Sequence, residues 1–164
     1  MIPFVVMQGW DNFFVAEAGA SAALAGLLFV AISINLARIL EFWHLPTRCA
    51  EALLALLSVL VVATFALVPA QSSAAYGAEI AGTGLVIWAA QTLALAHTWK
   101  ASHQHARSAL RLLMNQLPSP SFVIAGGLLF AGHPSGIYWV VPGTLLSFVA
   151  GLYGAWILLI EIQR

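Results

Sequence analysis

The sequence has very little charge. Asp, Glu, Lys and Arg make up only 7% of its 164 residues, while 62% are hydrophobic; a soluble domain carries about 25% charged residues. That is too little polar surface to coat a globule in water, so a polytopic membrane protein is expected. Six Lys plus Arg balance six Asp plus Glu, which leaves no basic face for nucleic acid and no acidic tail. Cys49 is the single cysteine. An internal disulfide and any CxxC metal or redox motif are thereby excluded. No Lys or Arg precedes the first apolar run, so the positive n-region of a secretory signal is missing and the first helix is expected to be retained. No lipidation motif is present.

Catalytic patterns are equally scarce. There is no HExxH, no nucleophile with a base and an orienting acid, and no glycine loop followed by the lysine that meets phosphate. His44, His97, His103 and His105 offer nitrogen ligands, but His103 and His105 are two residues apart and do not share a helix face. No cysteine or clustered carboxylate completes a coordination sphere. Neither an enzyme, a metal site nor a cofactor is expected.

What the chain has in abundance is long apolar runs. Crossing the hydrocarbon takes about 20 apolar residues at about 1.5 Å each, and four runs reach that length, at 13–39, 50–69, 80–99 and 137–160. A fifth run, from Phe122 to Gly132, is about half a span. The turn "AQSSAAYG" has no basic residue, whereas Arg38 and Arg48 lie between the first two runs and Lys100, Arg107 and Arg111 between the next two. Cytoplasmic loops are enriched in Lys and Arg. With five crossings and an outside N-terminus, all six basic residues, Arg164 included, fall on the cytoplasmic side.

The expected fold is therefore an all-α integral membrane helical bundle forming one domain over 1–164. It has five transmembrane helices, or four if the Phe122–Gly132 run is re-entrant. Leu110, Leu113, Met114 and Leu117 stand at helical spacing beside Arg107 and Arg111, which predicts a short amphipathic helix at the inner leaflet, with Pro118 and Pro120 marking its end or a sharp bend. Trp10, Trp43, Tyr76, Trp99, Tyr138 and Trp139 fall near expected helix ends, where aromatic rings settle among headgroups.

The stretch "EAGASAALAGLLFVAISINLARIL" divides into two faces. At about 100° per residue, Glu17, Ser21, Leu24, Leu28 and Asn35 point one way, and Gly19, Ala22, Gly26 and Ser33 the other. Helices in lipid associate through small residues and interhelical hydrogen bonds, so the small face is expected to be a packing seam. The last run repeats the device at Gly143, Ser147, Gly151 and Ala155, four residues apart. These two helices are the expected close pair, within one chain or across a homo-oligomer. Glu17 reads in two ways. It could reach interfacial water and begin the helix, or it could line an ion pathway with Ser21, Asn35 and Gln91.

The segments "FFVAEAGASAALAGLLFVAISINLARILEFWHLPTRCAEALLALL", "YWVVPGTLLSF" and "AWILLIEI" resemble a set of small bacterial multi-span membrane proteins, some of them labelled modulator of FtsH protease. That resemblance implies a bacterial cytoplasmic-membrane protein that contacts lipid and a membrane-protein partner, acting without catalysis through helix contacts. The alternative from the residues is a homo-oligomeric ion channel or transporter built on the first helix.

The threading is directly testable. Reporter tags placed in the Ser72 turn and beside His103 should report opposite sides of the membrane, and a shared compartment would contradict it.

Overall fold

Lipid offers no partner to a backbone N–H or C=O, so so apolar a chain must close its hydrogen bonds within helices. A computed structural model describes residues 9–43, 45–99 and 115–162. Among these residues there are only helices: α1 (Asp11–Ile34), α2 (Leu36–Glu41), α3 (Leu45–Ala66), α4 (Ser73–Trp99), α5 (Pro118–Phe130), a 3₁₀ segment (Pro134–Trp139) and α6 (Val140–Ile162). Most of the expected amphipathic segment, His44, His103, His105 and Arg164 lie outside the described residues. Three of the described stretches, Asp11–Ile34, Leu45–Ala66 and Pro134–Ile160, are long and apolar enough to cross a membrane. Pro118–Phe130 is apolar but shorter. The described residues thus form an all-helical protein with three helices long and apolar enough to span a membrane.

Local chemistry sets the helix boundaries. α1 stops at Asn35, whose backbone N–H is shared between the carbonyls of Ala31 and Ile32 while its Nδ2 donates to Ala31 O at 2.9 Å. Such a back-bond competes with the helical ladder and bends the chain. The first run is therefore two helices, α1 and α2, and not one. Ser72 opens α4 by accepting the Ala75 N–H on its hydroxyl at 3.1 Å, a side-chain cap that starts the helix at Ser73, seven residues upstream of the expected start. Pro118 opens α5 at its first turn, where a missing N–H costs nothing. Gly132, at φ 81°, closes α5: its own N–H reaches Leu129 O and that of His133 reaches Leu128 O. This is a Schellman ending, which favours glycine because the position is left-handed.

α3 is the centre of the bundle, with α1, α4 and α6 against it. α1 runs antiparallel to α3, because Phe14 clusters with Val62 and Ala66 while Leu28 clusters with Ala52 and Leu56. Two ends can be told apart. Trp10, Phe13, Phe14, Tyr76 and Tyr138 form a chain of ring contacts at one, with centroids 5.3 to 6.3 Å apart. At the other, Ile39 of α2 packs with Leu45, Cys49 and Leu158. Tyr76, expected among headgroups, is instead fully buried at the Trp10 end, its hydroxyl donating to Val62 O at 3.4 Å. A ring seated between three helices gains more from burial than from the interface. Trp43, Tyr138 and Trp139 remain exposed near helix ends.

The most extensive helix contact joins α4 and α5. A Cβ on Gly77 would lie 2.5 Å from the Phe130 nitrogen, and one on Gly126 would lie 2.5 Å from the Ala81 nitrogen. The two backbones therefore touch through Gly77, Ala81 and Gly126. The order of contacts, Gly77 with Phe130 and Gly84 with Ser119 and Phe122, makes α5 antiparallel to α4.

Any side chain at this contact must push the helices apart. Gly126→Leu should lower the unfolding free energy by about 1–3 kcal/mol, measured by denaturation in detergent. Gly26→Leu, where an added Cβ meets nothing within 4 Å, should change it by no more than about 0.5 kcal/mol.

Candidate functional site

The expected small-residue seams have different fates. On α6, a Cβ on Gly143 would meet the Phe122 ring of α5 and one on Gly151 would meet Leu56 of α3. Ser147 Oγ lies 3.3 Å from Ser58 Oγ of α3, and Ala155 packs beside Leu28, Ala52 and Leu56. This seam faces α3 and α5. On α1 the expectation of a seam within the chain fails: Gly19, Ala22, Gly26 and Ser33 are all exposed, and a Cβ on Gly19 or Gly26 would meet nothing within 4 Å. α1 touches α6 only slightly. It packs on α3 through Leu24, Ala25, Leu28 and Ile32, because the small residue that permits close approach there, Ala52, belongs to α3.

The polar line of α1 does face the bundle, but it does not form one pathway. Ser21 is buried and its hydroxyl donates to Ala18 O at 3.1 Å. Asn35 likewise spends its amide on its own helix. Glu17 is half-buried, with Oε2 shielded and lacking a hydrogen-bond partner. Gln91 does not join it. Phe14 contacts Tyr76 at the Trp10 end, and Gln91 lies fifteen residues further along α4, about 22 Å at the helical rise. Glu17 and Asn35 are themselves about 27 Å apart along α1 by the same measure.

A different polar cluster stands toward the α2 end, between α3, α4 and α5. Glu51 of α3 is only 6% exposed and accepts from Asn115 Nδ2 at 2.9 Å. Next to Asn115 in the chain, Gln116 donates from Nε2 to Thr92 Oγ1 of α4 at 3.1 Å. Gln91, 3% exposed, adjoins Thr92 in sequence, and Ser119, 1% exposed, lies three residues past Gln116. Gln91 Oε1, Gln116 Oε1 and Ser119 Oγ are buried with no hydrogen-bond partner. A buried acceptor left alone costs about 1–3 kcal/mol, so three together mark a place that something else completes.

This cluster was legible only in part. The second apolar run starts at residue 50, which puts Glu51 at its edge, whereas α3 begins at Leu45 and carries Glu51 nearly two turns inside. The available signal was Glu51, Ser58 and Val62 at one-face spacing, all buried. Among the described residues no group of three or more His, Cys, Asp or Glu side chains is placed to hold a metal ion. No protein-family model matches the chain, and comparison with characterised proteins and with solved structures finds no similar one.

Asn115→Leu removes one donor from the buried Glu51. It should lower stability by about 1–3 kcal/mol in detergent denaturation, and an unchanged midpoint would show that the bond contributes nothing.

Proposed function

We propose that the protein is a non-enzymatic accessory subunit of the bacterial cytoplasmic membrane, a five-pass bundle with its N-terminus outside, which binds one membrane-protein partner through the outward face of α1. The observation that carries this reading is the inversion of α1. Leu24 and Leu28 turn inward, and Gly19, Ala22, Gly26 and Ser33 stand open toward the membrane among the exposed Leu27, Phe29 and Val30. Elsewhere in the bundle Gly77, Gly126, Gly143 and Gly151 are spent on close contacts, while Gly82 of α4 and Gly127 of α5 are open singly; on α1 the open small residues form a run of four positions. In lipid such a stripe is where another helix approaches, since van der Waals fit and not solvent exclusion drives association. The outward face of α1 thus mixes small residues with bulky ones such as Leu27, Phe29 and Val30, whereas that of α6 carries Leu145, Val149, Leu152, Trp156 and Leu159, bulky side chains that suit lipid tails.

Five passes are supported by the antiparallel course of α5 along α4. A re-entrant hairpin would bring the chain back to the end at which it began. α5 instead starts near Thr92 and finishes near Gly77. The orientation rests on the distribution of Lys and Arg. The resemblance to proteins labelled modulator of FtsH protease makes a membrane protease of that type the partner to test. An ion path along α1 is the weaker reading, because Ser21 and Asn35 bond to their own helix.

A photo-crosslinking residue at Ala22 or Gly26 should yield one discrete heteromeric adduct in native membranes, while the same residue at Leu152 or Trp156 yields only lipid adducts. Equal labelling from both helices would remove the basis for a partner on α1.

A further inference from the structure

We propose that the polar cluster between α3, α4 and α5 binds one alkali-metal cation. The positions converge by register. On α5, Ser119 lies on the stripe that continues to Phe122 and Gly126 and faces α4, and Asn115 and Gln116 stand just before the bend at Leu117 that precedes this helix. On α4, Gln91 follows Gly84 by seven residues and so lies on the stripe that meets α5. Glu51 enters from α3 and is fixed by Asn115 at 2.9 Å. Gln116 is fixed by Thr92 at 3.1 Å, which leaves its carbonyl oxygen unengaged.

The unengaged atoms are two amide carbonyl oxygens and one hydroxyl, Gln91 Oε1, Gln116 Oε1 and Ser119 Oγ, and the Glu51 carboxylate is tied to the same segment through Asn115. All are hard oxygen donors, and the set contains neither sulfur nor imidazole. Such a set selects a cation of the alkali or alkaline-earth kind over a transition metal. Neutral oxygens, with the one nearby carboxylate already engaged, suit a singly charged ion better than a doubly charged one, since divalent sites draw on several carboxylates. Arg48 stands one turn before Glu51 on α3 and reduces the attraction for a cation, which places the site among weak ones. Toward the other end, the same face of α3 passes through Ser58 to Val62, and Val62, Tyr76, Phe122 and Leu129 close it with apolar surface. The site is thereby closed off from the Trp10 end. It shares no residue with the outward face of α1, so the two proposals stand or fall separately.

The test is thermal unfolding of the purified full chain in detergent, with sodium or potassium chloride compared with choline chloride at equal ionic strength. One of the alkali salts should raise the midpoint by about 2–4 °C at several times its Kd. Gln91→Leu and the milder Ser119→Ala should abolish that difference, and Gln71→Leu, at the opposite end of α4, should retain it. Equal midpoints in all three salts would overturn the proposal and leave water as the occupant. An alkali-dependent shift that survives in both Gln91→Leu and Ser119→Ala would overturn it as well, by placing the ion elsewhere.

Discussion

The bundle depends on the near contact of the α4 and α5 backbones. α5 has thirteen residues, too few to cross the hydrocarbon alone, and lipid supplies no hydrophobic force to press it against a neighbour. It is held because Gly77, Ala81 and Gly126 let two backbones meet, so that dispersion contacts accumulate along its whole length. Held there, α5 positions everything around it. Phe122 receives Gly143 of α6, Gly136 of the 3₁₀ segment closes over Ala125 and Leu129, and Asn115 reaches Glu51.

α3 completes the arrangement from the other side. Its face through Ala52, Ala55, Val59, Val62 and Ala63 is small or β-branched and fully packed, which allows α1 and α6 to come close on either side. Ser58 bonds to Ala55 O at 2.7 Å and meets Ser147 at 3.3 Å, so the polar atoms of that contact are satisfied inside the bundle. Large apolar side chains point outward instead, among them Leu27, Phe29, Val86, Leu93 and Trp156. Polar groups inside and bulky apolar groups outside is the distribution expected of a chain dissolved in lipid.

The sequence made the class of fold and the approximate place of the helices clear, because long apolar runs have one stable solution in a bilayer. Boundaries were less legible. Ser72 and Pro118 act through caps and first-turn geometry, which shift a helix start by several residues without changing hydropathy, and α3 likewise starts at Leu45, ahead of its apolar run, which carries Glu51 inside the helix. Which face of α1 packs was not legible either. Small residues mark close approach, but whether the approach is to a neighbour in the same chain depends on what that neighbour presents. α3 presents Ala52 and Leu56 to the leucines of α1. The glycines of α6 stand against Phe122 of α5 and Leu56 of α3, whereas the sequence pairs this helix with α1. Gly77 and Gly126, the closest contact of all, lie in runs whose alanines and glycines look alike along the chain. Only the three-dimensional register singles them out.

The account's central claim is that the bundle sits in lipid with this particular inside and outside. The most direct measurement is carbene labelling by a photoreactive lipid in nanodiscs, mapped residue by residue by mass spectrometry. Adducts should collect on Leu27, Phe29, Leu93, Trp156 and Leu159 and spare Val59, Val62, Tyr76 and Phe122. Adducts on the second group, or none on the first, would contradict the packing described and the roles built upon it.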